Sequence, residues 1–122
     1  ETFDAGRAQK DIHRIKDRGK KAFLAVNPGT PLCFDALLDS LDGVLMMSVN
    51  PGFAKQKFIP EVLDKVKQLR KRFSKDISID GGVNKETALG AVAAGANILV
   101  TASYFFNSSN RREVVQHLKS LK

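Results

Sequence analysis

Hydrophobic residues follow two alternating patterns along this 122-residue chain. Short runs in which nearly every residue is apolar predict buried strands. Between them, apolar residues recur three or four positions apart, which predicts amphipathic helices. The predicted strands are 21–26, 43–49, 76–79 and 97–101, and the predicted helices are 4–18, 30–41, 60–73, 85–94 and 110–121. Thr30 is expected to cap the second helix, with Pro31 in its first turn.

The order of these elements, one helix followed by four strand–helix units, predicts an α/β fold. Strands that alternate with helices run parallel and are joined by right-handed crossovers. Units of this size build a (β/α)8 TIM barrel, whose eight units take about 250 residues or somewhat fewer. We therefore expect a single domain, 1–122, that forms a partial TIM barrel of about four parallel strands alternating with helices.

Four strands cannot close a small barrel. Two sheet edges and part of the inner face should therefore stay open. Such a half-barrel is expected to be marginally stable or to need a partner over that surface. The partner would be a second copy, giving a homo-oligomer, or the missing half-barrel.

Each predicted strand ends in a turn built from small residues. The first two strands end in Val-Asn-Pro-Gly, at 26–29 and 49–52, the third in Asp80-Gly81-Gly82, and the fourth in Thr101-Ala102-Ser103. The carboxyl ends of parallel strands lie along one rim, where α/β proteins bind ligands. The pattern therefore predicts a ligand site at this rim.

The chain carries a net charge of +7, which favours anionic ligands such as phosphorylated metabolites, nucleic acid or acidic lipid. Its densest basic cluster has six members: Lys65, Lys67, Arg70, Lys71, Arg72 and Lys75. Apolar residues at helical spacing line the other side of this segment, and no aromatic residues interleave with the charges. A solvated outer helix face is the favoured interpretation, and nucleic-acid binding is disfavoured.

Cys33 is the single cysteine, so no internal disulfide can form, and a reducing compartment, the cytoplasm, is expected. Its apolar surroundings favour buried packing over catalysis. No apolar run approaches the roughly 20 residues that span a bilayer, so no membrane partner is expected. The start has no signal-peptide features and no initiator Met, which suggests that it lies within a longer chain. His13 and His117 are expected on helix surfaces.

Three segments together resemble ribulose-phosphate 3-epimerase of the pentose phosphate pathway. They are Met-Met-Ser-Val-Asn-Pro-Gly-Phe at 46–53, Gln-Lys-Phe-Ile-Pro at 56–60 and Ile-Asp-Gly-Gly-Val-Asn at 79–84. Segments 25–31 and 94–97 are similar to the same family in order and spacing. The resemblance extends over essentially the whole chain and corresponds to the second half of the family's barrel. It implies an isomerase that interconverts D-ribulose 5-phosphate and D-xylulose 5-phosphate by metal-assisted proton exchange at C3.

The resemblance also implies roles for individual residues. Asp80 matches the aspartate that binds a divalent metal (Zn, Fe, Mn or Co) and serves as one of two acid/base carboxyl groups. Met47 matches a methionine beside the reacting carbons. The phosphorylated ketose is expected to contact eight residues of the rim: Gly52, Phe53, Ala54, Lys55, Gly81, Gly82, Ala102 and Ser103.

The chain also departs from the family pattern. Ala54-Lys55 replaces a typical Gly-Gly pair, and Ala102 replaces a glycine. The family's second catalytic Asp and its two metal-binding His residues lie in its first three strands, which have no counterpart here. The metal site is therefore expected to be incomplete, with little or no turnover by this chain alone. An epimerase of a related hexulose 6-phosphate and a non-catalytic phosphate-binding or interaction module stay open as alternatives.

Overall fold

The computed structural model describes residues 4–52 and 56–121 of the chain. Its strands, in chain order, are β1 (Phe23–Val26), β2 (Gly43–Met47), β3 (Asp76–Asp80) and β4 (Ile98–Val100). Its helices are α1 (Ala5–Lys16), a 3₁₀ helix (Asp35–Ser40), α2 (Val62–Arg70), α3 (Lys85–Ala94), α4 (Ser103–Phe106) and α5 (Arg111–Ser120). None of these described helices is long and apolar enough to cross a membrane.

The strands form one parallel sheet in the order β1-β2-β3-β4. Each strand pairs with the next one along the chain, so every connection carries the chain back to the same end of the sheet. The outer edges of β1 and β4 have no neighbouring strand in the described part of the chain. The predicted partial TIM barrel of four parallel strands is confirmed, and the assignment of 1–122 to one domain stays a prediction.

The two faces of the sheet differ because successive side chains of a strand point in opposite directions. Residues on one face are buried in the core beneath the helices: Val26, Val44, Met46, Ile77 and Ile79. Residues at the alternate register positions form a second apolar set outside that core, which we call the open face: Phe23, Ala25, Leu45, Met47, Ile98 and Val100. Phe23 and Val100 are 39% and 40% exposed.

The helices form a single layer over the buried face. Helix α1 contacts the 3₁₀ helix, and α3 contacts both α2 and α5. An ion pair of 3.0 Å between Arg72 and Asp35 joins the 3₁₀ helix to the end of α2. Because a crossover helix packs over the two strands that it connects, the layer order is α1, 3₁₀ helix, α2, α3, α5. Helices α1 and α5 are therefore the outermost helices of the layer.

Side-chain caps fix where the helices begin. Asp4 Oδ1 accepts a hydrogen bond from the Arg7 amide at 3.0 Å, at the start of α1. At α3, Asn84 Oδ1 accepts from the Thr87 amide at 3.0 Å, and Thr87 Oγ1 accepts from the Asn84 amide at 2.9 Å. This reciprocal capping box starts α3 directly after the turn at Gly81-Gly82.

The predicted helix at 30–41 is wrong in type and in its start. Thr30 does not cap it, since the Thr30 amide donates to the Asn27 carbonyl oxygen at 3.0 Å and closes a turn after β1. The six-residue 3₁₀ helix begins at Asp35 without a side-chain cap. The apolar residues of the segment are nevertheless buried as their spacing indicates: Phe34, Leu37, Leu38 and Leu41.

One further expectation fails and one element was missed, both at segments outside the main helices. Cys33 is exposed rather than buried, because it lies before the 3₁₀ helix in a stretch without regular structure. The short helix α4 has no counterpart in the predicted elements.

The basic cluster is more deeply involved in the fold than a solvated helix face would be. Arg70 donates hydrogen bonds to three backbone carbonyl oxygens, each at 2.8 Å, and to Asn97 Oδ1 at 3.2 Å. Lys65 and Lys75 each donate to two backbone carbonyl oxygens. The expected solvated face is seen in the exposed members of the cluster, which are Lys67, Lys71, Arg72 and Lys75. In addition, three of the six cations hold loops together.

Candidate functional site

Met47, Asp80 and Val100 lie side by side at the carboxyl ends of β2, β3 and β4. The register pairs Met47 with Asp80 and Asp80 with Val100. Residues at one level of a parallel sheet point to the same face, and here that is the open face. Met47 and Asp80 are half-buried. The Asp80 carboxylate therefore stands at the mouth of the open face, with apolar side chains on both sides.

Ser48 fixes the backbone that carries Asp80. This buried residue donates its amide hydrogen to the Asp80 carbonyl oxygen at 2.7 Å and its hydroxyl to the same oxygen at 2.9 Å. The hydroxyl also lies 2.6 Å from the Gly81 carbonyl oxygen. The Ile59 amide donates to the Ser48 carbonyl oxygen at 2.8 Å. The end of β2, the turn after β3 and the approach to α2 are thus held together.

Gly81 and Gly82 are both in the left-handed region of backbone space, with φ of 118° and 64°. A Cβ on Gly81 would lie 2.6 Å from the Val49 side chain, and one on Gly82 would lie 2.8 Å from the Phe58 backbone nitrogen. The loop after β2 therefore lies directly against this turn. Backbone conformation and close packing each require glycine here, whatever role the pair has in binding phosphate.

A cleft of about 490 Å³ opens beside the glycine turn. Gly82 and Ser103, two of the predicted phosphate contacts, line it together with Lys57, Asn84 and Thr87. The hydroxyl of Ser103 and the amide and ammonium groups of Asn84 and Lys57 are usual donors to phosphate oxygens. The Thr87 hydroxyl already donates to the Gly82 carbonyl oxygen at 3.0 Å. The structure therefore brings the turn after β3 and the start of α4 into one polar cleft.

The remaining predicted contacts are placed less centrally. Gly81 lies in the turn itself, while Ala102 is an exposed residue that precedes α4. Gly52 is exposed, with a φ of 127°. Phe53, Ala54 and Lys55 lie outside the described residues.

The Asp80 carboxylate makes no hydrogen bond or ion pair with any residue in 4–52 or 56–121. Within those same ranges, no three His, Cys, Asp or Glu side chains come together as a metal site. Asp80 can supply one carboxylate ligand to a divalent cation, and a complete ligand set would need further donors. The described residues by themselves therefore do not fit a bound metal.

His117 is less exposed than the sequence suggests. It is half-buried, and its Nε2 is shielded from solvent without a hydrogen-bond partner in the described part of the chain. The ring borders a small cavity of about 190 Å³ between α5 and Tyr104. The expectation of a surface histidine is wrong for His117, and it is right for His13, which is exposed.

Sequence reasoning missed four residues of this site. Lys57, Asn84 and Thr87 line the cleft, and Ser48 holds the backbone of the turn. The Asn-x-x-Thr spacing ahead of an apolar helix is a capping signal and was available for Asn84 and Thr87. Ser48 gave the weaker signal of a single hydroxyl at the end of an otherwise apolar strand.

The chain matches the model of the family described as "Ribulose-phosphate 3 epimerase family" over residues 3–106. The ribulose-phosphate 3-epimerase of Bacillus subtilis (strain 168) is 42% identical over 120 residues, which cover 93% of this chain and 55% of that protein. The ribulose-phosphate 3-epimerase of Escherichia coli (strain K12) is 38% identical over 117 residues, which cover 91% and 52%. The chain spans about half the length of the curated relatives it matches.

A solved structure of 3-hexulose-6-phosphate synthase from Salmonella typhimurium has a similar fold. It aligns with a TM-score of 0.70 over 98% of this chain and 57% of its own length, at 18% sequence identity. At that identity the likeness concerns the fold alone.

Proposed function

Because the chain belongs to the ribulose-phosphate 3-epimerase family, we propose that it forms the phosphate-binding part of an active site that interconverts D-ribulose 5-phosphate and D-xylulose 5-phosphate. The observation that carries this proposal is the convergence of Asp80, the glycine turn and Ser103 on one rim. A carboxylate and a polar cleft beside it suit a ketose whose reacting carbons and phosphate lie a few bonds apart.

The polar cleft is proposed to hold the phosphate. Gly82 and Ser103 line the cleft, and Lys57, a cationic residue, lines it as well. The absence of side chains on the glycine turn lets the backbone approach the ligand closely. Phe53, Ala54 and Lys55 are proposed to cover the bound substrate, as the family pattern implies.

Asp80 is proposed to exchange the proton at C3 from one face of the substrate. Its carboxylate has no competing partner among the described residues, so it is available to accept that proton. Met47 and Val100 flank it and would exclude water from the reacting carbons. A divalent metal, when bound, would stabilise the negative charge that develops on the substrate oxygens.

Epimerisation also needs an acid/base group on the opposite face of the carbon. The described residues provide one carboxylate at the mouth, Asp80, and no second one in register with it. We therefore expect that the chain alone binds the sugar phosphate but turns it over little or not at all. The same observation favours the second candidate, a non-catalytic phosphate-binding module, as the activity of the isolated chain.

We also propose a cytoplasmic location. Cys33 is an exposed free thiol, which suits a reducing compartment.

The binding part of the proposal is tested by NMR titration of the chain with inorganic phosphate and with D-ribulose 5-phosphate. We expect both to shift the amide signals of Gly82 and Ser103. Lys57→Gln should weaken phosphate binding about three- to tenfold. Lys10→Gln, which makes the same charge change at an exposed site on α1, should not. Equal effects of the two variants would mean that phosphate affinity depends on the net charge of the chain and not on a specific site.

A further inference from the structure

The carbonyl oxygens of the turn after β3 are held by side-chain hydroxyls. Ser48 Oγ lies 2.9 Å from the Asp80 carbonyl oxygen and 2.6 Å from that of Gly81. Thr87 Oγ1 donates to the Gly82 carbonyl oxygen at 3.0 Å. Consecutive carbonyl groups of the turn are therefore anchored from two sides, by a residue at the end of β2 and by one in the first turn of α3.

These contacts also fix the direction of the amide groups. The described peptide bonds are trans, and in a planar trans peptide the N–H points opposite to the carbonyl of the preceding residue. The Gly82 N–H is therefore turned away from Ser48, and the Val83 N–H is turned away from Thr87. Neither amide makes a hydrogen bond with a described residue. Both residues line the polar cleft that also contains Ser103.

We propose that Ser48 and Thr87 are positioning residues of the phosphate site, whose hydroxyls hold two peptide planes so that the Gly82 and Val83 amides face the phosphate. The proposal deepens the proposed function and rests on it for the ligand, the phosphate group of a ketose. Neither hydroxyl is needed as a direct donor to that ligand, because each already donates to a carbonyl oxygen. Each acts through the backbone group that it orients.

A turn with two adjacent glycines needs such a restraint. Gly81 and Gly82 carry no Cβ, so the peptide between them meets little steric resistance when it rotates. Among the described residues, the Ser48 hydroxyl is the one hydrogen-bond donor to the Gly81 carbonyl oxygen. Ser48 is completely buried, so bulk water does not replace this donor. The hydroxyl therefore selects one of the peptide orientations that the glycines allow.

The orientation of this peptide decides whether the turn attracts or repels an anion. Consecutive backbone N–H groups that point out of a turn form a concave site for anions. If the peptide between Gly81 and Gly82 rotated, it would present the Gly81 carbonyl oxygen where the Gly82 N–H had been. That oxygen carries partial negative charge and repels a phosphate oxygen. Loss of the Ser48 hydroxyl should thus weaken binding by more than the loss of one amide donor would.

The direction of the amides is measured first, on the folded chain without ligand. Residual dipolar couplings report the orientation of each backbone N–H bond. Ser48→Ala should change the coupling of Gly82, and Thr87→Val should change that of Val83. Ser78→Ala is the control, because Ser78 is also buried but its hydroxyl makes no hydrogen bond with a described residue. It should leave both couplings unchanged.

Phosphate affinity is measured next, by titrating the same folded chains with inorganic phosphate and following their amide signals. Ser48→Ala and Thr87→Val should each weaken binding about fivefold or more, because each misplaces a donor to a charged ligand. Thr87→Ser keeps the hydroxyl and should stay within about twofold of the natural chain, as should Ser78→Ala. Thr87 is only half-buried, so its variants test the proposal even if Ser48→Ala does not fold.

Unchanged couplings in both hydroxyl-deleting variants would overturn the proposal, and so would unchanged affinity in variants whose couplings differ. Equal losses of affinity in Ser48→Ala and Ser78→Ala would overturn it as well, since general destabilisation would then explain both.

The proposed function fails in a different way. If the couplings change as expected but phosphate shifts neither the Gly82 nor the Ser103 signal of the natural chain, the orienting role of the two hydroxyls is upheld. That result would count against the proposed function only.

Discussion

Ser48 and Asp80 are joined twice at the ends of their strands. Both the amide and the hydroxyl of Ser48 donate to the Asp80 carbonyl oxygen, at 2.7 and 2.9 Å. The buried Ser48 therefore holds the backbone of Asp80 in place, while the Asp80 carboxylate has no partner among the described residues. Hydrogen bonds to the backbone of Asp80 thus fix its position without engaging its carboxylate.

Ser48→Ala should destabilise the fold by about 1–3 kcal/mol, because it removes the buried hydroxyl that bonds the Gly81 carbonyl oxygen. The Asp80 carbonyl oxygen loses that hydroxyl too and keeps only the bond from the Ser48 amide. Urea unfolding measures the free energy of unfolding of the variant and of the natural chain. Ser78→Ala is the control, since Ser78 is also buried in the sheet but makes no side-chain hydrogen bond with the described residues. If both substitutions lower the free energy of unfolding equally, the hydroxyl of Ser48 has no special part in holding the turn.

Gly82→Ala should cost more than Gly19→Ala, although the two glycines have nearly the same φ, 64° and 67°. Gly19 has no atom within 4 Å of an added Cβ, so it reports the left-handed conformation alone, about 1–2 kcal/mol. At Gly82 the added Cβ also meets the Phe58 backbone, which should add about 1–3 kcal/mol. Thermal unfolding of the two variants measures the difference. Equal losses would show that the loop after β2 can move away from the turn.

Asp42 should make the fold sensitive to acid. A hydrogen bond from the Ala22 amide lowers the pKa of the Asp42 carboxyl, with help from the Lys16 ammonium, against an opposing contribution from burial. Because the folded-state pKa lies below the ordinary value, this stabilisation is complete above about pH 4 and disappears as the pH falls through the folded-state pKa. The stability gap between the natural chain and Asp42→Asn should therefore be largest near pH 6–7 and close below pH 4.

The gap is measured by urea unfolding across that pH range. Asp39→Asn removes an exposed carboxylate that makes no hydrogen bond within the described residues, and it serves as the control. A gap for Asp42→Asn that persists unchanged into acid would show that the charge of Asp42 does not stabilise the fold.

Arg70→Lys should destabilise the fold by about 2 kcal/mol or more. The guanidinium serves three carbonyl oxygens and the Asn97 amide oxygen at the amino ends of the strands. A lysine keeps the charge but lacks the planar fork, so it leaves some of these acceptors unpaired. Arg14→Lys, at an arginine whose side chain is 79% exposed, should stay within about 0.5 kcal/mol. Chemical denaturation compares the two, and similar losses would contradict the structural role of Arg70.

The strands and the rim could be predicted from the sequence because their signals are redundant. Four apolar runs, each followed by a turn of small residues, define both the direction of the strands and the end at which ligands bind. β3 occupies 76–80, one residue longer than predicted, and α3 has the predicted bounds. Asn84 before α3 and Gly95 after it, with a φ of 114°, explain that agreement, since each end has its own chemical signal.

The segments whose structure was predicted wrongly lack such signals. Between Pro31 and Leu41 the apolar spacing fits a 3₁₀ helix as well as an α-helix, and no side chain caps its start. The burial of Cys33 was predicted from the helical periodicity of that segment, so this prediction failed for the same reason. The cleft of Lys57 and Ser103 joins residues far apart in sequence, and only the folded sheet brings them together.

The carbonyl contacts of Lys65 and Lys75 have a consequence for chemical modification. Each ammonium bridges two backbone oxygens, those of Pro28 and Thr30 for Lys65 and those of Asp39 and Leu41 for Lys75. Acetylation would remove the charge and most of the donors, leaving these loop carbonyls without partners. Acylation at either amine would thus loosen the scaffold by freeing the carbonyl groups of the loops that precede and follow the 3₁₀ helix.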